Sequence, residues 1–425
     1  MAKAKKEAPK KEPKGKKSMA DMMKSYQKDK DYRDMFHDPN TAKNIECIDS
    51  GSYIVNKILG LKGIAKGRMG EIYGYESSGK TTLVQAIALS VLEKKGKVLY
   101  FDYEHAFDTE YAKELGLDVD NPDHFQLIRP DNFEQGWGIC RDYLDNVADI
   151  DLIIIDSMAA MTPKAIMEMS IDKHAQIGLH ARMCSQFCAE ITKKISRSNT
   201  AMIVVNQVRN RIKGPYDPGP DTTTTGGNAI KFYFSWRLEL QKIGMMTKEG
   251  VSEVDGSDED KPIGIRIQVK NIKNKLATPF LKSSIVVRFK EGIDNVESII
   301  DICINKKFIK KDGAWFGFTS DINTVEDAEY IADTGTIQGR ESLREYLVKH
   351  ESVYGQLVQK VMADAIEREV PVKEETTAEV APDVEAVDAA TEAVLAAEAQ
   401  KASSKRGKKK KEAEAPVAVK EEELA

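Results

Sequence analysis

Glu71-Ile72-Tyr73-Gly74-Tyr75-Glu76-Ser77-Ser78-Gly79-Lys80-Thr81-Thr82-Leu83-Val84-Gln85-Ala86-Ile87-Ala88 is the stretch on which the fold turns. Its loop is spaced G-x-x-x-x-G-K-[ST], and the residues after the loop place Leu83, Ala86, Ile87 and Val91 three or four apart. Gly74 and Gly79 let the backbone curl so that successive N–H groups through Tyr75, Glu76, Ser77 and Ser78 face one anion. Lys80 then reaches the outer phosphates, the Thr81 hydroxyl takes a Mg2+ ion, and Thr82 continues into a helix. The helical pattern ends near Lys94-Lys95-Gly96, so the anion sits at a helix N-terminus.

Outward from this loop, short apolar runs alternate with helical patterns, which predicts an α/β fold with a parallel sheet covered by helices. Three runs matter most. Val98 to Phe101 ends in Asp102-Tyr103-Glu104-His105, Leu152 to Ile155 in Asp156-Ser157, and Met202 to Val205 in Asn206-Gln207. Ligands of an open parallel sheet gather at the carboxyl ends of its strands, so Glu104, Asp156 and Gln207 are expected to converge on the Lys80 loop. Asp156 suits the Mg2+ shell, through water or the Thr81 hydroxyl. Glu104 suits a general base that orients water against the γ-phosphate of ATP, and the Gln207 amide suits a γ-phosphate sensor. His105 is expected to make local hydrogen bonds only.

The 425 residues, 41% hydrophobic and 31% charged, suffice for one large core with one or two small domains. A net charge of -5 excludes an overall nucleic-acid field, so DNA binding has to come from local patches. Five scattered cysteines read as reduced core thiols; Cys184 and Cys188 alone are close in sequence, and they are read as lacking a nearby His partner for zinc. The sequence offers neither a membrane-spanning run nor a signal-peptide core, and a cytoplasmic protein is expected.

Residues 1–17 form a solvated basic arm. Residues 18–45 carry an N-terminal helix: from a Ser18 cap, Met19, Met22, Met23, Tyr26, Tyr32, Met35 and Phe36 line one side before Pro39, for docking on a neighbouring subunit or on the chain's own core. Residues 46–292 are the core and 293–368 a small C-terminal domain with a helical pattern from Gly339 to Val361. Residues 369–425 are a charged tail of disordered composition.

Four blocks together resemble the bacterial RecA recombinase family: Gly74 to Thr82, Asp102 to Asp108, Asp156 to Lys164, and Thr223-Thr224-Thr225-Gly226-Gly227-Asn228-Ala229-Ile230-Lys231-Phe232. Other phosphate-loop ATPases share the first block and lack the last. The resemblance implies a RecA-type P-loop ATPase core, a mostly parallel sheet flanked by helices, with an N-terminal helical arm and a small α/β C-terminal domain. It also implies polymerisation on single-stranded DNA with ATP bound between subunits, DNA-stimulated hydrolysis, and pairing and strand exchange with homologous double-stranded DNA. By the same resemblance Glu104 is the catalytic glutamate, Gln207 the sensor, and Asp108 and Tyr111 lie against adenine. Lys273 and Lys275 would reach the neighbour's ATP. On the residues alone these two lysines are solvated positions on a polar turn after the alternating strand Ile263 to Val269. A site completed by a neighbour makes subunit contact and nucleotide state one equilibrium, and a head-to-tail contact generates a helical filament or a ring.

Two loops are expected to bind DNA. The first runs from Pro163-Lys164 to Gln176 and enters a helix with Leu179, Met183, Phe187, Ile191 and Ile195 on one face; the resemblance puts Arg182 and Ser185 of that helix on the DNA backbone. The second, Val208 to Asn228, is expected to stay mobile until bound. It offers Arg209 and Arg211 for phosphates, Tyr216 for stacking on bases, and backbone N–H groups around Gly226, Gly227 and Asn228. Departures from the family pattern are Ala189 where a second DNA-contacting arginine is expected, Val296 where an aromatic lines the nucleotide, and slightly longer DNA loops. They mark a divergent relative, for which a bacterial virus is one source. An ATP-switched DNA-binding regulator and a hexameric helicase motor are the competing readings. Retention of Glu104 argues against the first, and the Thr222 to Phe232 block against the second.

Overall fold

The computed structural model describes residues 18–28, 45–169, 178–211, 222–247, 250–252 and 262–369. In chain order the elements before the sheet centre are α1 (Met19–Gln27), β1 (Cys47–Ile48), α2 (Tyr53–Leu59), β2 (Ile64–Ala65) and β3 (Met69–Gly74). The central α/β part holds α3 (Lys80–Glu93), β4 (Val98–Asp102), α4 (Thr109–Glu114), β5 (Phe125–Ile128), α5 (Phe133–Asn146), β6 (Leu152–Asp156), α6 (Lys164–Met167), α7 (Leu179–Arg197) and β7 (Ala201–Asn210). Then come β8 (Thr222–Thr224), a 3-10 turn over Ala229–Phe232, β9 (Trp236–Thr247), β10 (Gly250–Ser252), β11 (Gly264–Asn274), β12 (Lys282–Arg288) and β13 (Gly292–Ile293). The chain continues with α8 (Asn295–Asn305), β14 (Ile309–Asp312), β15 (Trp315–Phe318), β16 (Thr336–Gln338), α9 (Arg340–Lys349) and α10 (Glu351–Glu369).

The main sheet runs β13-β12-β11-β9-β3-β7-β6-β4-β5. From β9 to β5 every neighbouring pair is parallel, whereas β9, β11, β12 and β13 pair antiparallel with one another as a wing. Strand alternation splits the core between two faces. Leu152 and Ile154 join Leu83, Val84 and Ile87 of α3 on one face, and Ile153 and Ile155 join Phe133 of α5 and Phe187 and Ile191 of α7 on the other. Full burial of each such side chain contributes about 1.5–3 kcal/mol, so the apolar stripe of α7 fixes that helix under the sheet.

The N-terminal helix is shorter than the sequence pattern suggests. Ser18 caps it by accepting from Asp21 N at 3.1 Å, but the helix ends at Gln27, and Tyr32, Met35 and Phe36 lie outside the described residues. The basic arm at 1–17 and the tail beyond 369 lie outside them too. The second DNA loop also departs from expectation at its two ends. β7 continues past Gln207, and its last residues pair antiparallel with β8, Val208 with Thr224, Arg209 with Thr223 and Asn210 with Thr222. The C-terminal part is a three-stranded antiparallel sheet, β14-β15-β16, on a core that includes Ile299, Phe316, Leu343 and Tyr346. Its helical pattern from Gly339 onward is two helices broken at His350, not one. Among the described residues no helix is long and apolar enough to cross a membrane.

Candidate functional site

Parallel register brings the three strand ends together. Gly74 at the end of β3 lies opposite Gln207, Tyr73 opposite Asn206, and Asp102 opposite Asp156. The loop after β3 leaves no room for side chains at its two glycines. A Cβ on Gly74 would lie 2.3 Å from the Leu240 carbonyl oxygen, and one on Gly79, whose φ is +80°, would lie 2.3 Å from Ile267 Cδ1. Tyr75, Glu76 and Ser77 are exposed, and Ser78 is buried with its hydroxyl donating to Tyr75 O at 2.7 Å. Lys80 donates from Nζ to the same carbonyl at 2.6 Å. Burial holds the Lys80 ammonium below its ordinary pKa, against the opposing pull of Asp156, Glu104 and Glu76. An arriving phosphate would replace a single loop carbonyl as its partner.

Asp156 Oδ2 accepts from Tyr100 Oη at 2.7 Å and from Thr81 Oγ1 at 3.2 Å. Burial pushes this carboxyl up to about 6, offset in part by the Tyr100 hydrogen bond. A desolvated carboxylate beside a hydroxyl at a phosphate cradle has the chemistry of a Mg2+ site. Glu104 stands on the turn after β4. That turn is shaped by Asp102, which accepts from Ala106 N at 3.2 Å, Phe107 N at 3.1 Å and Arg129 Nε at 3.2 Å. Glu104 Oε1 accepts from Gln207 Nε2 at 2.9 Å and from the buried Ser157 hydroxyl. The strand-end pattern puts Glu104 and Gln207 beside one loop and marks Asp102 and Ser157 as strand ends, but it does not say what Tyr100, Asp102 or Ser157 bond.

Asp108 caps α4 by accepting from Glu110 N at 2.9 Å and Tyr111 N at 3.0 Å, and the Tyr111 side chain hydrogen-bonds that of Thr82. Beside Thr82 opens a 320 Å³ cleft whose walls include Ala86, Leu89, Leu115, Glu291, Gly292 and Asn295. Val296, where an aromatic is expected, packs against the C-terminal core. The exposed aromatic in this neighbourhood of the chain is Phe289, 48% exposed and two residues before Glu291. Phe289 directly follows β12 and reads as one more strand residue.

A buried polar network ties the phosphate-loop strand to the segment from Val208 to Asn228, the second loop expected to bind DNA. Glu71, fully buried, accepts from Arg237 Nε through Oε2 and from Asn206 Nδ2 at 2.8 Å through Oε1. Asn206 Nδ2 also donates to Thr225 O at 3.0 Å, and Arg237 to Thr224 Oγ1 at 3.4 Å. Gly226 and Gly227 come next, with φ of +92° and +83°, and a Cβ on Gly227 would lie 3.1 Å from Ala181 Cβ. The glycine turn therefore packs on the first turn of α7, which presents an exposed Arg182, with half-buried Ser185 one turn on. Asn228 accepts from Lys231 Nζ at 3.0 Å, and Arg209 donates to Thr225 Oγ1 at 3.4 Å. Arg211 is exposed at the end of the ribbon, and Tyr216 lies outside the described residues. Half-buried Ala189 sits on α7.

Lys273 and Lys275 are the site residues that the chain does not bring to its own phosphate loop. Lys273 pairs with Arg237, which pairs with Glu71, so across β9 it lies level with Glu71, three residues before the loop begins at Gly74. Its ammonium donates to the carbonyls of Lys231 and Phe232, and that of Lys275 to Phe232 O at 2.7 Å. Lys273 belongs to β11 itself rather than to a turn beyond it. Burial, with Lys275 and Arg237 nearby, lowers its pKa to about 8.

The described cysteines are free, and burial raises the thiols of Cys184 and Cys188. The reading that they lack a nearby His is corrected by His180, one helical turn earlier, whose Nε2 lies 3.5 Å from Cys184 Sγ. Among the described residues no group of three or more His, Cys, Asp or Glu is arranged to hold a metal ion.

The RecA N-terminal domain family matches residues 16–294. The RecA protein of Borrelia duttonii (strain Ly) is 39% identical over 321 residues, which is 75% of this chain and 80% of that protein. That of Legionella pneumophila (strain Corby) is 37% identical over 336 residues, 79% of this chain and 88% of that protein. A crystal structure of the RadB recombinase superposes with a TM-score of 0.44 at 19% identity, covering 58% of this chain and 98% of that one. With its phosphate loop, its strand-end carboxylates and this extent of sequence identity, the chain belongs to the RecA family of ATP-dependent recombinases.

Proposed function

We propose that this chain polymerises head to tail on single-stranded DNA with ATP between subunits, pairs the bound strand with homologous duplex, and exchanges strands. Within one subunit, Gly74 to Thr82 hold the phosphates and Asp108 and Tyr111 lie against the base at the mouth of the Thr82 cleft. Thr81 and Asp156 would hold Mg2+, which when bound neutralises charge on the outer phosphates. Glu104 takes a proton from the attacking water. Lys273 and Lys275 serve the neighbour's nucleotide, a reading supported by their separation from their own phosphate loop. Arg182, Ser185, Arg209, Arg211 and the Gly226-Gly227-Asn228 turn contact the DNA backbone, with Tyr216 against bases, so that base pairing supplies the sequence specificity.

The observation that carries this reading is the position of Gln207. Its amide donates to Glu104 Oε1 at 2.9 Å while its strand runs on into the Arg209 ribbon. One residue is thereby shared by the hydrolytic carboxylate and the DNA loop, and an interaction at either end changes the other by the same coupling free energy.

The test is strand exchange between a circular single strand and a homologous linear duplex, with Lys80→Ala and Glu104→Gln as controls. Exchange that needs Lys80 supports the reading. DNA-stimulated hydrolysis without exchange would indicate a motor or a regulator instead.

A further inference from the structure

The two donors on Glu104 are not equivalent in origin. Gln207 reaches it from β7, the strand that leads to the DNA loop, whereas Ser157 reaches it from the end of β6, next to Asp156. Ser157 is fully buried and packed in the sheet, while Gln207 is half-exposed. Both donors meet the same oxygen, Oε1, and among the described residues no donor is found on Oε2.

We propose that Ser157 is a positioning residue for hydrolysis: its hydroxyl anchors Glu104 Oε1 so that Oε2 is the oxygen that takes the proton from water. The proposal rests on the reading of Glu104 as the base. The chemistry is simple. As water attacks the γ-phosphorus, an O–P bond forms, the bond from that phosphorus to the bridging oxygen breaks and ADP leaves with its electron pair, and the water proton passes to Oε2. A carboxylate on an exposed turn rotates freely unless one oxygen is held, and an acceptor carrying two donors has little lone-pair density left for a third. The Ser157 anchor survives whatever Gln207 does, because it comes from a fully buried strand end. Gln207 is left free to change partner when nucleotide or DNA arrives. Adjacent residues at the end of β6 then serve both halves of the reaction, Asp156 toward the cation and Ser157 toward the base.

The experiment is steady-state ATP hydrolysis with saturating single-stranded DNA, for wild type, Ser157→Ala, Ser157→Thr and Glu104→Gln. Thermal melting and fluorescent-ADP binding are read on the same preparations. Ser157→Ala should lower kcat about tenfold, a fraction of what a general base contributes. It should leave KM and ADP binding within about twofold, since the lost contact is not one to nucleotide. Ser157→Thr keeps the hydroxyl and should restore most of kcat.

A Ser157→Ala enzyme with wild-type kcat overturns the proposal. So does a parallel loss of kcat, ADP binding and melting temperature that threonine fails to rescue, because that pattern belongs to a packing role. In both cases an inactive Glu104→Gln variant leaves the reading of Glu104 standing. Wild-type hydrolysis by Glu104→Gln removes that reading, and the proposal with it.

Discussion

Asn206 donates from Nδ2 to Glu71 Oε1 at 2.8 Å, so the residue just before Gln207 is fastened to the strand that delivers the phosphate loop. The same amide nitrogen holds Thr225 O at 3.0 Å, at the far end of the loop proposed to bind DNA. Both ends of that loop are thereby referred to β3. Asn206→Ala leaves a buried carboxylate short of one donor and should cost about 1–3 kcal/mol. Glu71→Ala strands Arg237 without its counter-charge and should cost about 3–5 kcal/mol. Chemical denaturation measures both, and an Asn206→Ala protein as stable as wild type would show that the network is not structural.

Gln207 supplies the second prediction. Its Nε2 is 2.9 Å from Glu104 Oε1, and its backbone is continuous with the ribbon that carries Arg209. Gln207→Ala removes the shared contact and keeps the phosphate cradle. Nucleotide binding should persist, while the stimulation of hydrolysis by DNA falls to about 1-fold. Full stimulation in the variant would refute the linkage.

Asp156 carries a stability consequence that opposes its function. Burial lifts its carboxyl from 3.8 to about 6. Between those values the folded protein binds the proton more tightly than the unfolded chain, so this group's contribution to stability falls as pH rises through the window. Above it the cost is fully present, about 3 kcal/mol at most for a shift of roughly two units. Asp156→Asn keeps an acceptor for Tyr100 and removes the charge. At pH 7.5, without nucleotide, the variant should melt higher than wild type, and it should hydrolyse ATP poorly if the carboxylate holds the cation. An equal or lower melting temperature would remove the desolvation argument.

The local signals are strong where chemistry sits on a strand end. The loop from Gly74 to Thr82 and the polar residues closing Val98–Phe101, Leu152–Ile155 and Met202–Val205 are contiguous in sequence, and parallel pairing needs no further information to gather them. Contacts between distant segments leave no such trace. Glu71 is a charged residue inside a strand, and nothing near it announces Arg237, 166 positions away. Ser157 resembles any residue after a strand until the turn of Glu104 folds over it. The ribbon of β7 and β8 is built from threonines whose composition reads as loop, and pairing with Val208 to Asn210 overrides that composition. The division at His350 escapes sequence reasoning because the apolar spacing of the two helices runs on across the break.

Lys273 gives the last prediction, and it concerns assembly. Its pKa of about 8 reflects burial and the nearby cations Lys275 and Arg237 in a subunit considered alone. If the neighbour's triphosphate is the missing counter-charge, assembly raises that pKa, and filament formation takes up a proton in the window just above 8. Linkage fixes the sign: the assembly constant with ATP should fall as pH rises from 8 toward the raised value, and level off below 8, where the free subunit is already protonated. Lys273→Arg stays charged throughout and should flatten the dependence, and Lys273→Ala should weaken ATP-dependent assembly at every pH. Light scattering or sedimentation of filaments at constant ionic strength across pH 7 to 9.5 reads the effect. An assembly constant that does not change over this range in wild type would mean that Lys273 meets no anion across the subunit contact, and the nucleotide would then be completed by other groups.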